Sequence, residues 1–302
     1  MTPDEIKRLL PPNLDYLYFE RAAAFPFQPA ATDFQLVNAG WLMDLSLLAY
    51  AQDTDFIRRE LKKIGLHKEP LFLGFNLQKR STQCFVVHND EVIITVFRGT
   101  EVHLIERVQN IVADVLTDAR IVQVPSAFKG GVHGGFAKAL DEVWAEAANF
   151  LRSIKEQQAV WFTGHSLGAA LATLAAERYS RSIGDVQALY TFGSPRVGDE
   201  EFAENFRPRA FRIVNGRDIV TTVPILAPAS TSFPFPLRAY KHLGELKYIN
   251  RAGQLTNQDP RPMTEVMSLL RAATSNRLAE EFVQPLVDHA PLLYSERLWQ
   301  NL

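Results

Sequence analysis

The apolar positions of this chain change period along its length, and each change predicts a different kind of element. In "TDFQLVNAGWLMDLSLLAYA" (32–51) apolar residues recur at helical spacing, with Thr32 or Asp33 as the capping candidate. "DTDFIRRELKKIG" (53–65) predicts a second helix that Gly65 stops, which completes a helical lead-in over 1–65. The period then shortens. "QCFVVHNDEVIITVFRGT" (83–100) holds two β-rich runs joined by Asn89-Asp90, a hairpin signal. "FAKALDEVWAEAANFLRSIKEQ" (136–157) returns to the helical period and lines up Phe136, Leu140, Val143, Ala147 and Leu151.

From residue 159 the two periods alternate. Strand "AVWFTG", a helix from Ser166 to Ser180, strand "VQALYTFG", a helix near "DEEFAENF" and strand "AFRIVN" follow one another. Strands apolar throughout, separated by helices, predict crossover connections and a mostly parallel sheet covered by helices on both faces. "HLGELKYI" (242–249) alternates and predicts a last strand. No repeat, low-complexity tract or linker composition interrupts the chain. One α/β domain over 1–302 is the expectation.

Composition narrows the partners. The 302 residues are 47% hydrophobic and 22% charged, enough apolar content for a core without metal or disulfide support. Thirty-four acids against 32 bases leave a net charge of −2, so bulk charge predicts neither a nucleic-acid partner nor an acidic membrane. Cys84 is the only cysteine and lies in the apolar run "QCFVV"; a buried, inert thiol is expected, with no intrachain disulfide. No apolar run approaches the length of a membrane span. The first residues lack the basic and apolar regions of a secretory leader, from which a cytoplasmic location is the expectation. H-E-x-x-H, paired-cysteine and G-x-G-x-x-G patterns are all missing, so no metal or cofactor is predicted.

The candidate chemistry sits where one strand meets the next helix. Gly164-His165-Ser166-Leu167-Gly168 is a G-x-S-x-G turn, and a strand before with a helix after is the context such a nucleophile turn requires. By chance alone the pattern occurs about once in ten chains of this length, so the context carries the inference. Side chains two residues either side of so sharp a turn would collide with the strand and helix, and glycine removes them. The turn carries Ser166 beyond the carboxyl edge of the sheet, where open α/β folds bind ligands.

A serine hydroxyl needs a base, and the base an orienting acid. Two histidines follow Ser166. His242 opens the expected last strand and reads as structural. His289, in "LVDHAPLLY", lies past a helical stretch and before Pro291, in a loop able to reach the serine. For the acid, Asp288 adjoins His289 and cannot readily fold back onto its ring. Asp199 in "GSPRVGDEEF" suits a helix cap. Asp218, just past the second strand after the serine, is the expected partner of the imidazole Nδ1–H. The oxyanion donors expected are the backbone N–H of Leu167 and Thr100, at the end of the strand "TVFRGT".

Together these stretches resemble the class 3 lipases, the family of the fungal triacylglycerol lipases. The likeness runs through "VFRGT" (96–100), "NIVAD" (110–114), "VHGGF" (132–136), "VWFTGHSLGAALATL" (160–174), "FGSPRVGDEEFA" (192–203), "VNGRDIVTTVP" (214–224), "YKHLGELKYI" (240–249) and "DHAPLLY" (288–294). It implies an α/β-hydrolase fold, a lipid or acyl ester substrate met at a lipid–water interface, and hydrolysis through an acyl-serine. It also implies the triad Ser166, Asp218 and His289, an oxyanion hole of Thr100 and Leu167, and an Asp114 that holds the oxyanion-hole hydroxyl. His133 and His242 match structural positions of the family.

The segment "EVHLIERVQNIVADVLTDA" places Val102, Ile105, Val108, Val112 and Val115 at steps of three and four. With the likeness, that pattern implies a lid over 101–118, against the plainer reading of a core-facing helix. The loop "VPILAPASTSFPFPLRAY" (223–240) supplies a candidate second apolar wall. Same-chemistry alternatives are a phospholipase A1 and a short-chain carboxylesterase. A non-catalytic lipase-like binding protein is the alternative of another class.

Overall fold

The structure, a computed structural model, describes residues 8–75, 81–100, 123–224, 239–261, 264 and 280–302. Its centre is an eight-stranded sheet. In chain order the strands are β1 (Leu71–Leu73), β2 (Cys84–His88), β3 (Val92–Phe97), β6 (Ala159–His165), β7 (Ala188–Phe192), β9 (Ala210–Asn215), β11 (Glu245–Ile249) and β12 (Leu255–Thr256). They lie side by side in that same order. The five from β3 to β11 run parallel, and the pairs at each end are antiparallel. A small second sheet joins β4 (Gln123–Pro125), β5 (Gly131–His133), β8 (Gly198–Asp199) and β10 (Tyr240–Lys241). It follows short runs that carry too few residues to show a period in the sequence.

Parallel strands buried on both faces need apolar residues at odd and even positions alike. Here Val92, Ile94, Val96, Trp161, Tyr190, Phe211 and Ile213 enter one core, and Ile93, Phe97, Val160, Phe162 and Leu189 enter the other. The first core is closed by helices α1 (Leu36–Leu48) and α7 (Pro291–Gln300), with Ile57 and Leu61 of α2 (Thr54–Lys63). The second is closed by α3 (Gly134–Ile154) and α4 (Leu167–Ser182). The face Phe136, Leu140, Val143, Ala147 and Leu151 expected of α3 is the face it buries. Cys84 is fully buried in β2.

The helix starts depend on particular side chains. Asp53 caps α2, and Asn89 closes the β2–β3 hairpin by accepting from Glu91 N and Val92 N at 2.9 Å. The imidazole of His133 caps α3, accepting from Gly135 N at 3.1 Å and Phe136 N at 3.3 Å. Asp199 caps α5 (Glu200–Glu204) through Phe202 N at 2.9 Å. Two expectations are corrected. Neither Thr32 nor Asp33 caps α1: its N-cap is Gln35, which makes no capping bond, while Asp33 pairs with Arg209 on the surface. The described part of the lead-in before Gln35 is largely turns, whose aromatics Tyr18, Phe19, Phe25, Phe27 and Phe34 pack on the first core.

That lead-in is fastened by a buried carboxylate. Asp44, in the middle of α1 and fully buried, accepts from Phe19 N at 2.9 Å and from Ser295 Oγ of α7, with Tyr16 Oη at 3.4 Å. Burial pushes its carboxyl up to about 6 against these hydrogen bonds, which act to lower it. Between about pH 4 and 6 the folded chain therefore holds a proton that the unfolded chain releases. This group's contribution to stability falls as pH rises through that window, by about 3 kcal/mol in all. Asp44→Asn is expected to remove that slope. Urea midpoints at about pH 4 and pH 7 should show the variant losing less stability over the interval than wild type does.

Candidate active site

The turn between β6 and α4 is a single residue long. Ser166 has φ 59° and ψ −129°, a backbone conformation that costs a non-glycine residue about 1–3 kcal/mol. The surroundings hold it there. A Cβ on Gly164 would stand 2.4 Å from the carbonyl of Gly168, and one on Gly168 would stand 2.2 Å from the carbonyl oxygen of Phe97. The strand end, the helix start and β3 meet in a space with room for hydrogen atoms only. Ser166 N–H donates to Phe192 O at 2.9 Å, which ties the turn to the carboxyl end of β7.

His289 lies in the short link between α6 (Glu280–Val287) and α7, and its Nε2 is 2.9 Å from Ser166 Oγ. Its Nδ1 is 3.0 and 2.9 Å from Asp218 Oδ1 and Oδ2. All three side chains are buried. Asp218 follows β9 and also accepts from Val220 N at 2.9 Å and from Tyr294 Oη at 2.6 Å. Burial alone would raise its carboxyl; the His289 ring and the hydrogen bonds from His289 and Tyr294 outweigh that and hold it below the ordinary range. An ionised Asp218 only accepts, so Nδ1 of His289 carries the proton. Nε2 is then left with a lone pair for the Ser166 hydroxyl. Burial, then Asp218, drives Tyr294 well above its ordinary value and keeps it a donor.

The backbone of the histidine link is held as firmly as its ring. His289 O accepts from His165 Nε2 at 2.8 Å, and Tyr50 Oη lies 2.9 Å from His165 Nδ1. Burial first, then the neighbouring His289, keeps His165 well below the usual imidazole range, so it is neutral with Nε2–H donating and Nδ1 accepting. Asn215 Nδ2 donates to Asp288 O at 2.8 Å, and Asp288 Oδ2 accepts from Arg217 N at 2.7 Å. Gly193 presses on the pair from outside: a Cβ there would stand 2.7 Å from Asp218 Oδ2 and 3.1 Å from the His289 ring.

Of the residues singled out in the sequence, Ser166, His289 and Asp218 are brought into one hydrogen-bonded line. Leu167 opens α4 directly beside the serine. Thr100 follows Gly99, whose added Cβ would come 3.2 Å from Ser166 Cβ, so the loop after β3 runs past the serine. His242 is elsewhere, with Nε2 on Thr221 O at 2.8 Å. Asp199 serves α5 and Gly131 N, and Asp288 serves the turn at Arg217. Asp114 and the segment 101–118 lie outside the described residues, as does most of the loop 223–240. Tyr294, His165 and Tyr50 were not singled out as site residues, because none belongs to a motif of fixed spacing. Tyr294, five residues after His289 on α7, is the one that local spacing brings within view.

Residues 94–227 match the family Lipase (class 3). A secreted mono- and diacylglycerol lipase of Malassezia restricta is 32% identical over 163 residues, 50% of this chain and 52% of that protein. Another secreted mono- and diacylglycerol lipase, from Fusarium solani, is 40% identical over 100 residues, 31% of this chain and 30% of its own. A phospholipase A1 of Oryza sativa is 29% identical over 196 residues, 57% of this chain and 49% of that one. The chain thus spans about half the length, or less, of these relatives. The solved triacylglyceride lipase of Rhizomucor miehei superposes with a TM-score of 0.55 at 26% identity, covering 76% of this chain and 88% of its own. The fold is that of the α/β-hydrolases. The expected cytoplasmic location is corrected: the two fungal relatives are named as secreted. That expectation rested on the pattern of the first residues alone, which carries no information about the surroundings in which the folded domain works.

The contact at Gly168 yields a direct test. Gly168→Ala is expected to destabilise the protein by about 1–3 kcal/mol, since the new methyl must push against the backbone of β3. Chemical denaturation would read this as a lower midpoint with an unchanged slope.

Proposed function

We propose that this chain, a member of the class 3 lipase family, hydrolyses carboxylic esters of acylglycerols through an acyl intermediate on Ser166. The observation that carries this reading is the unbroken hydrogen-bonded line from Asp218 through His289 to Ser166. In the proposed reaction Ser166 Oγ attacks the ester carbonyl while His289 Nε2 takes its proton. Asp218 stabilises the imidazolium and keeps the ring in the required tautomer. The tetrahedral oxyanion is held by the backbone N–H of Leu167 and by Thr100, and the positive end of α4 favours the same charge. His289 then returns the proton to the departing alcohol oxygen, and water repeats the cycle on the acyl-serine.

The acylglycerol assignment takes its support from the two fungal relatives, and it carries with it an extracellular place of action. A phospholipase A1 is the second reading, favoured by the rice relative, whose match spans more of this chain than either fungal match. Hydrolysis of emulsified diolein beside phosphatidylcholine vesicles separates the two. The acylglycerol reading expects the former to dominate; a dominant release of fatty acid from phosphatidylcholine overturns it.

The chemistry is tested apart from the substrate. A fluorophosphonate is expected to form one adduct, at Ser166, in the folded protein. Its absence, with the label failing on native but soluble protein, would sink the hydrolase reading. Asp218→Asn is expected to leave the melting curve cooperative and to lower kcat on p-nitrophenyl butyrate by about 10⁴, because the ring then adopts the wrong tautomer.

A further inference from the structure

On the α3–α4 side of the sheet, below the link that follows β7, lies a small, partly open pocket of about 10 Å³. That is room for one atom-sized occupant. Thr173, Thr191, Ser194, Arg196, Arg212 and His242 line it. Its charges are one-sided. Among the described residues no carboxylate borders it, while Arg212 and Arg196 bring two guanidinium groups. Arg196 Nη1 spends its protons on the carbonyls of Thr222 and Pro224, the latter at 3.0 Å. Nearby Arg261 is matched by Asp259, and Lys241, which also borders the cavity, reaches Glu200 at 3.1 Å.

Two buried nitrogens here have no partner among the described residues: Arg212 Nε and His242 Nδ1. The cavity hydroxyls do not serve them, since Thr173, Ser194 and Thr191 donate to the carbonyls of Ala169, Pro195 and Phe211. A buried donor and a buried acceptor both left unmade are unfavourable, so the pair calls for an occupant. His242 Nε2–H is committed to Thr221 O at 2.8 Å, which in the neutral ring leaves Nδ1 as a lone pair. Burial first, then Arg212 and Arg196 and more distantly Arg261, hold that ring well below the usual imidazole range. Arg212 itself is lowered to about 10 by burial and by Arg196. Asp259 acts the other way on Arg212, but does not outweigh burial and Arg196.

We propose that this cavity is a binding site for one monatomic inorganic anion of halide size, taken up together with a proton on His242. The anion accepts from Arg212 Nε–H and from the newly formed Nδ1–H, and it screens the two arginines from each other. Because one proton accompanies each anion, affinity rises about tenfold for each pH unit of acidification while His242 is neutral in the free protein. The site lies beneath the link that carries Gly193 against Asp218 and His289, so occupancy stiffens a wall of the candidate active site. The proposal does not depend on the chemistry assigned to Ser166.

Sodium bromide soaked into wild-type crystals supplies the test. At about pH 5 an anomalous bromine peak is expected between Arg212 and His242, and at about pH 8 that peak should be gone. In solution at pH 5, bromide should raise the melting temperature by about 2 °C over sodium gluconate of equal ionic strength, and Arg212→Met should abolish the difference. Density of a water with no anomalous signal at either pH overturns the proposal, as does a peak of equal height at both. If Arg212→Met fails to fold, the wild-type diffraction result decides alone.

Discussion

The site depends on one backbone conformation, that of Ser166, held at positive φ where three elements converge. The conformation is unfavourable by itself and survives because β3, β6 and α4 leave no alternative path for the chain. Gly164 and Gly168 are the condition for that convergence: a methyl on Gly164 would come 2.4 Å from neighbouring backbone, and one on Gly168 2.2 Å. The same crowding points the hydroxyl out of the sheet edge and sets the first N–H groups of α4 beside it. The strain at Ser166, the direction of its hydroxyl and the helix N-terminus beside it therefore have a common cause.

Behind the serine the polar groups form a closed account. Asp218 receives from His289, Tyr294 and Val220; the His289 carbonyl receives from His165; His165 receives from Tyr50. Buried polar networks are stabilising only when every member is matched, and this one leaves His289 a single free lone pair, directed at Ser166. Asp44 extends the arrangement to the far side of α7. Its bond to Ser295 sits next to Tyr294, so the N-terminal lead-in, α1 and the acid of the candidate triad share one helix as their common support.

The cationic cavity by Arg212 and His242 is the exception to that closed account. It belongs to the same fold, but its unmatched buried atoms are positive or neutral where the active-site network is balanced. An imidazole beside two arginines keeps its neutral form unless a negative charge arrives, which makes proton and anion uptake a single event.

How much was readable in advance follows from the range of each interaction. The alternation of apolar strands with helices, the face of α3, the Asn89 hairpin and the G-x-S-x-G turn are local, and periodicity or steric need within a few residues reveals them. Chain order and loop placement were enough to single out Asp218 and His289 among the acids and histidines. Other features are set by residues far apart in the chain. Thr32 and Asp33 looked like caps but do not cap α1; Asp33 instead pairs with Arg209, in the link just before β9. Tyr294 on Asp218, His165 on the His289 carbonyl, Asp44 on Ser295 and the pairing of Arg212 with His242 around a cavity each join positions from about 30 to 250 residues apart. By itself the sequence determined the periods, the turn that only glycine permits and the order of the chemistry. The tertiary structure decided which distant polar groups meet, because burial forces each of them to find a partner and only the packing of the whole chain says which one is within reach.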